Sequence, residues 1–128
     1  MREELSLAVV DDDEAARRAV VRLLRVAGFR VSAYSSAEEL LADPEGSGFD
    51  CLVLDVWLGG ISGVELAEQM AQSGSTAAVV FLTANDQPET RERASRLPRT
   101  TYLSKTEPAE ALFAAIRGSV ASTVNPSV

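Results

Sequence analysis

The chain has 128 residues, 46 % of them hydrophobic, which suits one domain with its own core and argues against disorder. Its formal net charge of −7 argues against direct contact with nucleic acid, because phosphate backbones are bound through basic patches. The chain contains no histidine, which excludes histidine acid–base chemistry, histidine metal ligands and a phosphohistidine relay within it.

Short apolar runs alternate with stretches of helical periodicity along the chain. The predicted elements, in chain order, are a strand over Leu5–Val10, a helix over Ala15–Ala27, a strand over Val31–Tyr34, a short helix from Ser36 to Leu41, a strand over Cys51–Leu54, a helix from Ser62 through Met70, a strand over Ala77–Leu82, a helix over Gln87–Arg96, a strand over Thr101–Leu103 and a helix over Pro108–Val120. The strands are continuously apolar, as expected when helices cover both faces of a sheet. The sequence therefore predicts a doubly wound, five-stranded parallel α/β sheet.

Local signals mark the ends of three predicted helices. Ser36 with Glu39, and Ser62 with Glu65, have the spacing of capping boxes at helix starts. Gly28 follows the first helix at the place where a glycine often ends one. These signals make the first three helix boundaries the best defined in the chain.

The sequence also bears on domain limits and compartment. We assign residues 1–121 to one domain and residues 122–128 to a tail or the start of a linker. The single cysteine, Cys51, forms no internal disulfide, which fits a reducing compartment. No signal peptide is predicted, because the charged first six residues precede no long apolar segment, and no apolar run is long enough to span a membrane. We therefore expect a cytoplasmic protein without membrane contact.

Polar side chains collect where four strands end. They are Asp11, Asp12 and Asp13 after the first strand, Asp55 after the third, Thr83 after the fourth and Lys105 after the fifth. In such sheets, ligands bind outside the carboxyl ends of the strands. Two carboxylates about 5 Å apart repel by roughly 3 kcal/mol at an effective dielectric near 20, so the cluster predicts a cation. Oxygen ligands favour Mg²⁺, and the nearby ammonium and hydroxyl groups predict a phosphoryl group as the guest.

Each of these residues also has an ordinary structural explanation. Asp13 is placed to cap the next helix, and Thr83 could do the same for a later one. Asp55 fits a turn, and an isolated Lys105 would normally be solvated. These explanations become poor when taken together, because four strand ends would have to carry these residue types by chance at one edge. We therefore expect a site at that edge.

The four strand ends resemble the receiver domain of bacterial two-component response regulators. The segments that carry the resemblance are VVDD (Asp11, Asp12), LVLD (Asp55), FLTA (Thr83) and YLSK (Lys105). Asp55 lies 44 residues after Asp11, Thr83 lies 28 residues after Asp55, and Lys105 lies 22 residues after Thr83. These separations are similar to those of the family. Gly63, eight residues after Asp55, matches a turn glycine of the family. The resemblance covers about Leu5 to Val120 and implies the flavodoxin-like strand order 2-1-3-4-5.

The resemblance implies a phosphoacceptor signalling domain rather than an enzyme acting on a separate substrate. Asp55 would take a phosphoryl group from the phosphohistidine of a histidine kinase or phosphotransfer protein. Mg²⁺ would be held by Asp11, Asp12, Asp55 and the backbone carbonyl of Trp57. Lys105 would pair with Asp55 and then with the phosphoryl group. The domain would assist its own phosphoryl transfer and hydrolysis.

The resemblance also implies a switch. Thr83 would move its hydroxyl onto a phosphoryl oxygen. Tyr102 stands three residues before Lys105, where the family often has an aromatic that turns inward, although an ordinary half-buried strand aromatic is an equal alternative. The output surface would be the fourth helix, fifth strand and fifth helix, which would contact an output domain, a protein partner or a second copy upon phosphorylation.

Three segments depart from the family pattern. Gly59 replaces a proline four residues after Asp55, which predicts a more mobile loop. Thr106 replaces the proline that usually follows the lysine, which predicts a looser placement of Lys105. The segment RLPRTT replaces the usual Ala-Gly-Ala before the fifth strand. We expect the arginines in and before this segment to form a solvated face, and a basic partner surface is the less expected alternative. These arginines are Arg91, Arg93, Arg96 and Arg99.

Two other functions stay open on the sequence. A haloacid-dehalogenase-like phosphatase would use Asp11 as its nucleophile, with Asp13, Thr83 and a lysine. That interpretation leaves Asp55 without a role and lacks the further acidic pair that this family requires. A phosphorylation-independent pseudo-receiver would keep the fold and use it only for interaction. The altered loops leave this alternative open, whereas the presence of all five expected side chains argues against it.

Overall fold

The computed structural model describes residues 5–46 and 48–123, which form five consecutive β/α units. The elements are β1 Ser6–Val10, α1 Glu14–Val26, β2 Arg30–Tyr34, α2 Ala37–Ala42, β3 Cys51–Asp55, α3 Gly63–Gln72, β4 Ala78–Thr83, α4 Pro88–Ser95, β5 Thr100–Ser104 and α5 Ala109–Thr123. All the predicted strands and helices are present, with ends displaced by at most three residues. The predicted α/β class is confirmed.

The five strands form one parallel sheet in the order β2-β1-β3-β4-β5. The winding direction therefore reverses between β1 and β3, where Val9 pairs with Ala33 on one side and with Val53 on the other. The reversal opens a crevice at the carboxyl ends of these two strands. This strand order confirms the doubly wound prediction and locates the crevice beside Asp11 and Asp55.

Two apolar clusters cover the two faces of the sheet. One contains residues of α2, α3 and α4, including Leu40 and Leu66, packed on Phe81 of β4. The other contains residues of α1 and α5, including Leu24 and Ile116. Successive residues of β3 alternate between the two clusters, which is why this strand is apolar at every position before Asp55.

The two predicted capping boxes have different outcomes. At α3, Ser62 Oγ accepts from the Glu65 N–H at 3.0 Å, and Glu65 Oε1 accepts from the Ser62 N–H at 2.9 Å, so this box is complete. At α2, Ser36 Oγ accepts from the Glu39 N–H at 3.0 Å. The Glu39 carboxylate, however, accepts from the N–H of Ser35 at 2.6 Å. The reciprocal half of that predicted box is therefore shifted by one residue.

Helix α5 continues to Thr123 and so includes the first two residues of the predicted tail. The rest of that tail, residues 124–128, lies outside the described residues. Within the described part of the chain, no helix combines the length and apolarity needed to cross a membrane.

Candidate functional site

The parallel register brings the predicted site residues to one edge of the sheet. Asp11 directly follows β1, Asp55 is the last residue of β3, and Thr83 is the last residue of β4. Lys105 directly follows β5, and its backbone N–H donates to the Thr83 carbonyl at 2.9 Å. The four strand ends therefore meet as the sequence predicted.

Three aspartates form a compact carboxylate cluster at this edge. Asp11, Asp12 and Asp55 each offer an oxygen atom, and these atoms lie within 4.8 Å of one another. The side chains of Asp11 and Asp55 are only 5 % and 10 % exposed, whereas Asp12 is exposed on the open side. The donor set contains oxygen only, which is the chemistry that hard divalent cations such as Mg²⁺ prefer. The cluster therefore has the composition of a cation site.

Asp13, the third aspartate of the run, has a separate structural role. It is the N-cap of α1, and its Oδ2 accepts from the Ala16 N–H at 3.3 Å. Its own N–H donates to Asp11 Oδ1 at 3.0 Å, which orients the buried carboxylate. The capping explanation for Asp13 is thus confirmed, and the residue supports the cluster without belonging to it.

Lys105 bridges the two buried carboxylates. Its Nζ lies 3.0 Å from Asp11 Oδ2 and 3.1 Å from Asp55 Oδ2. Burial by itself lowers the pKa of Lys105, but the two carboxylates outweigh it and hold the pKa above its ordinary value. Lys105 is therefore a permanent positive charge at the place where a phosphoryl group on Asp55 would need one.

Asp55 ionises less readily than an ordinary aspartate. Burial raises its pKa, and the neighbouring negative charge of Asp11 adds to that rise. Hydrogen bonds from the Trp57 N–H, at 3.1 Å, and from Lys105 offset the rise only in part. The site thus places the poorly solvated carboxylate of Asp55 beside the positive charge of Lys105.

The turn after Asp55 requires a glycine at position 63. A Cβ at Gly63 would lie 2.1 Å from the Asp55 carbonyl oxygen, far inside contact distance. The Gly63 N–H also donates to the Val56 carbonyl at 2.9 Å, which closes the turn. The start of α3 therefore packs directly on the backbone of Asp55 and fixes its position.

The hydroxyl of Thr83 is held by the loop that follows β4. Thr83 is 1 % exposed, and its Oγ1 donates to the Asn85 carbonyl and accepts from the Asn85 N–H, both at 3.1 Å. The indole N–H of Trp57 donates to the same carbonyl at 3.3 Å. The backbone of Asn85 therefore joins Thr83 to the segment that carries the Asp55 carboxylate.

Tyr102 lies on β5, away from the carboxylate cluster. Its ring packs against Phe81 at a centroid distance of 6.1 Å, and the Cζ of Arg91 lies 4.6 Å above the ring. Its phenolic oxygen is buried near the Thr83 side chain, without a hydrogen bond of ordinary geometry. Burial raises the pKa of Tyr102 above the ordinary value for a phenol. The aromatic side chain is thus turned inward.

Gly59 and Thr106, which stand where the family usually has proline, have distinct local structures. Gly59 has a φ of +84°, which glycine adopts readily and proline cannot. After β5, the hydroxyls of Ser104 and Thr106 lie 2.8 Å apart, and the Thr106 N–H donates to Ser104 Oγ at 3.1 Å. The predicted loosening of Lys105 finds no support in these contacts, because the Ser104 side chain closes the turn.

Three of the four arginines near α4 form ion pairs. The pairs are Arg91–Asp86 at 2.9 Å, Arg93–Glu68 at 2.7 Å and Arg96–Glu92 at 3.4 Å. The fourth, Arg99, has a left-handed backbone with φ of 56° and a buried Nε without a partner among the described residues. Most of the positive charge that a basic partner surface would need is therefore paired with carboxylates.

The structure adds supporting residues that sequence reasoning missed. Arg17 donates from Nη1 to the Asp11 carbonyl at 2.8 Å, which its position one helical turn after the Asp13 cap makes feasible. The contacts of Asn85 with Trp57 and of Arg91 with Tyr102 had no comparable signal in the sequence, because these partners are distant in the chain.

Comparison with known families agrees with this geometry. The family model "Response regulator receiver domain" matches residues 7–117. Transcriptional regulatory protein FixJ of Azorhizobium caulinodans is 32 % identical over 120 residues, covering 94 % of this chain and 57 % of that protein. Nodulation protein W of Bradyrhizobium diazoefficiens is 34 % identical over 97 residues, covering 76 % of this chain and 43 % of that protein. The chain thus spans about half the length of these curated relatives.

Solved structures share the fold over almost the whole chain. A CheY-like receiver domain protein from Methanospirillum hungatei superimposes with a TM-score of 0.87 at 21 % identity, covering 95 % of this chain and 98 % of that one. The BeF3-activated receiver domain of DrrB superimposes with a TM-score of 0.81 at 27 % identity, covering 92 % and 98 % respectively.

Proposed function

The chain belongs to the response regulator receiver domain family of two-component systems, and on this premise we propose that Asp55 is its phosphoacceptor. The observation that carries the proposal is the position of Lys105 Nζ, which lies 3.1 Å from Asp55 Oδ2 within the carboxylate cluster. A receiver domain is a phosphoacceptor signalling domain and not an enzyme with a separate substrate. What we propose is which side chains do this work here.

In the proposed transfer, an ionised oxygen of Asp55 attacks the phosphorus atom of a donor phosphohistidine. The new O–P bond forms as the N–P bond breaks, the leaving nitrogen keeps the bonding electrons, and an acyl phosphate results. Lys105 and the Trp57 N–H favour the ionised carboxylate that the attack needs, against the effect of burial. No proton has to be moved by the chain, which agrees with its lack of histidine.

Asp11, Asp12, Asp55 and the backbone carbonyl of Trp57 are the proposed ligands of Mg²⁺. The oxygen-only donor set and the short spacing of the three carboxylates support this assignment. A bound Mg²⁺ would neutralise negative charge on the phosphoryl oxygens. Lys105 would supply a second positive charge from the protein itself, directed at the same oxygens.

Thr83 and Tyr102 are the proposed switch residues. After phosphorylation, the Thr83 hydroxyl would leave Asn85 and donate to a phosphoryl oxygen. That movement would change the β4–α4 loop, and with it the surface of α4, β5 and α5. We propose that this surface contacts an output domain, a protein partner or a second copy, and that the domain itself makes no nucleic acid contact.

The proposed donor is a cytoplasmic histidine kinase or phosphotransfer protein. The domain would also promote hydrolysis of its own acyl phosphate, because the charges that assist transfer to Asp55 also assist attack by water. The curated relatives are about twice as long as this chain. An output activity is therefore proposed for the whole protein, and none is assigned to the described residues.

The alternative functions receive less support from the same contacts. In a phosphatase of the haloacid-dehalogenase type, Asp11 would be the nucleophile and Asp13 its partner. Here Asp13 is engaged as a helix cap, and Asp55, which that chemistry leaves without a role, shares the Lys105 ammonium with Asp11. A pseudo-receiver is not favoured either, because the expected acidic, hydroxyl and lysine side chains are gathered at one sheet edge.

Intact-mass spectrometry after incubation with acetyl phosphate and Mg²⁺ tests the proposed function. We expect one phosphoryl adduct on the wild-type chain and none on Asp55→Asn or in the presence of a chelator. An adduct that persists in Asp55→Asn but disappears in Asp11→Asn would favour the phosphatase. If the wild type gains no adduct but forms a beryllofluoride complex on Asp55, the defect is restricted to phosphoryl transfer. If neither the adduct nor the beryllofluoride complex forms, the pseudo-receiver is favoured.

A further inference from the structure

The inward position of Tyr102 has a visible physical cause in the guanidinium of Arg91. The Cζ of Arg91 lies 4.6 Å from the centroid of the Tyr102 ring, which is within the range of a cation–π contact. The same ring also packs against Phe81 of β4, with the ring centroids 6.1 Å apart. Tyr102 is therefore held by an apolar strand residue and a charged residue of α4.

Arg91 is itself fixed by a carboxylate. Its Nε donates to Asp86 Oδ1 at 3.4 Å and its Nη2 donates to Asp86 Oδ2 at 2.9 Å, so both oxygens of one carboxylate hold the planar guanidinium. This fork orients the flat face of the guanidinium, which a single contact would leave free to rotate. Lysine has no planar fork and would not reproduce the arrangement.

The inward position of Tyr102 carries a cost that requires such a cause. Its phenolic oxygen is buried near the Thr83 side chain and lacks a hydrogen bond of ordinary geometry. A buried hydroxyl without such a hydrogen bond is disfavoured relative to one that reaches water, so the ring would turn outward if nothing held it. The contacts with Phe81 and Arg91 are the interactions that oppose this.

Asp86 connects this contact to the other half of the switch. It lies next to Asn85, whose backbone holds the hydroxyl of Thr83. Loop residues 84–87 therefore carry both the partner of Thr83 and the anchor of Arg91. The residue that holds Thr83 and the residue that anchors Arg91 are therefore neighbours in the chain.

We propose that Arg91, anchored by Asp86, is the positioning residue that holds Tyr102 inward before any phosphoryl group is bound. This inference rests on the proposed function, in which Tyr102 is a switch residue. Its consequence is that the aromatic half of the switch is already set in the resting domain. Phosphorylation then acts chiefly through Thr83 and the loop that it releases.

Fluorine NMR of 3-fluorotyrosine-labelled protein tests the proposal. The chain has two tyrosines, and Tyr34→Phe identifies the Tyr102 resonance. In the wild type, we expect this resonance to be shielded from a soluble paramagnetic agent, and to move little when beryllofluoride and Mg²⁺ are added. In Arg91→Gln and in Asp86→Asn, the solvent-exposed population of Tyr102 at rest should rise roughly two- to five-fold, the factor expected for losing one exposed cation–π contact.

Arg93→Gln is the matched control, because Arg93 lies on the same helix but pairs with Glu68 of α3. Its Tyr102 resonance should match that of the wild type. The proposal is overturned if Arg91→Gln leaves the resting resonance unchanged, or if Arg93→Gln moves it equally. Adduct formation on Asp55, measured on the same samples, tests the proposed function. The NMR comparison of the resting proteins requires no phosphoryl group, so the two tests are independent.

Discussion

At the scale of single residues, the energetics of the site depend on how Asp55 is solvated. Its carboxyl is 10 % exposed, and its pKa is raised by burial and by the charge of Asp11. A carboxyl with a raised folded-state pKa binds protons more tightly in the folded than in the unfolded chain. Stability is therefore lost as the pH rises from the unfolded pKa through the folded one. Ionisation of Asp55 therefore costs the folded domain stability.

Asp55→Asn should therefore raise the melting temperature at pH 7, because a neutral amide removes the poorly solvated charge. The gain should shrink as the pH falls toward the ordinary range of a carboxyl, where Asp55 is protonated in both states. Thermal unfolding of both proteins at a series of pH values measures this. A gain that is equal at pH 4 and pH 7 would contradict the account.

Lys105 has the opposite effect on stability, because it supplies the positive charge shared by Asp11 and Asp55. Lys105→Met should destabilise the domain at neutral pH by roughly 2–3 kcal/mol, less than for a fully buried pair, since the lysine side chain is 24 % exposed. Millimolar Mg²⁺ should recover part of the loss by replacing the missing charge. Urea unfolding with and without Mg²⁺ tests this, and a loss that Mg²⁺ leaves unchanged would argue against a cation at the carboxylates.

At the scale of elements, the β3–α3 turn positions Asp55 through contact between backbones. The first residue of α3, Gly63, packs so closely on the Asp55 carbonyl that no Cβ fits. The complete capping box of Ser62 and Glu65 fixes the same helix start. The turn is therefore part of the site, although its residues carry no reactive group.

Gly63→Ala should destabilise the domain by about 3 kcal/mol and slow phosphorylation of Asp55, because either the helix or the Asp55 backbone has to shift. Gly118→Ala is the matched control. Gly118 lies in α5 with open space around the position of a Cβ, so alanine there should stabilise by about 0.5–1 kcal/mol. Denaturant unfolding and adduct formation measure both effects, and equal stability changes in the two variants would contradict this interpretation.

Most of the fold and the central cluster were predictable from the sequence, because they follow from local patterns. Apolar runs and helical periodicity located nine of the elements, α4 was placed from a charged stretch, and the strand ends located Asp55 and Lys105. Parallel pairing then forces residues at strand ends to meet at one edge. The same logic explains why the complete cap at Ser62 was foreseen, since its two hydrogen bonds lie within three residues.

What could not be predicted depends on partners that are distant in the sequence or on backbone shape. Arg93 pairs with Glu68 of α3, and Arg91 lies over Tyr102 of β5, so the sequence around α4 does not show these partners. The positive φ of Gly59 is set by the path of the loop past Asp12, which no local pattern records. The Ser104 contact that closes the turn at Thr106 is local, and it was not foreseen because the prediction considered only the missing proline.

At the scale of the whole molecule, the fold concentrates negative charge at one sheet edge, and a bound cation would relieve it. Mg²⁺ binding to the folded state only should stabilise the whole domain, by about 2.7 kcal/mol at a concentration 100 times its Kd. The melting temperature of the wild type should therefore rise by several degrees with saturating Mg²⁺. Asp12→Asn should lose most of this rise, because it removes the exposed carboxylate of the cluster.

Arg96→Gln is the control for this effect, because it removes a charge on α4 whose partner is Glu92 and not the cluster. Its response to Mg²⁺ should equal that of the wild type. If Asp12→Asn gained as much stability from Mg²⁺ as the wild type, the metal would have to bind elsewhere on this acidic chain.

The central claim is that Asp55 is the carboxylate that receives the phosphoryl group. Borohydride reduction of the wild-type chain after incubation with acetyl phosphate and Mg²⁺, followed by peptide mass spectrometry, tests it most directly, because an acyl phosphate is reduced to an alcohol at its own residue. The account predicts reduction at Asp55 and nowhere else. Reduction at Asp11 would contradict it and favour the phosphatase chemistry, and a phosphorylated chain without any reduced aspartate would mean that the acceptor is not a carboxylate.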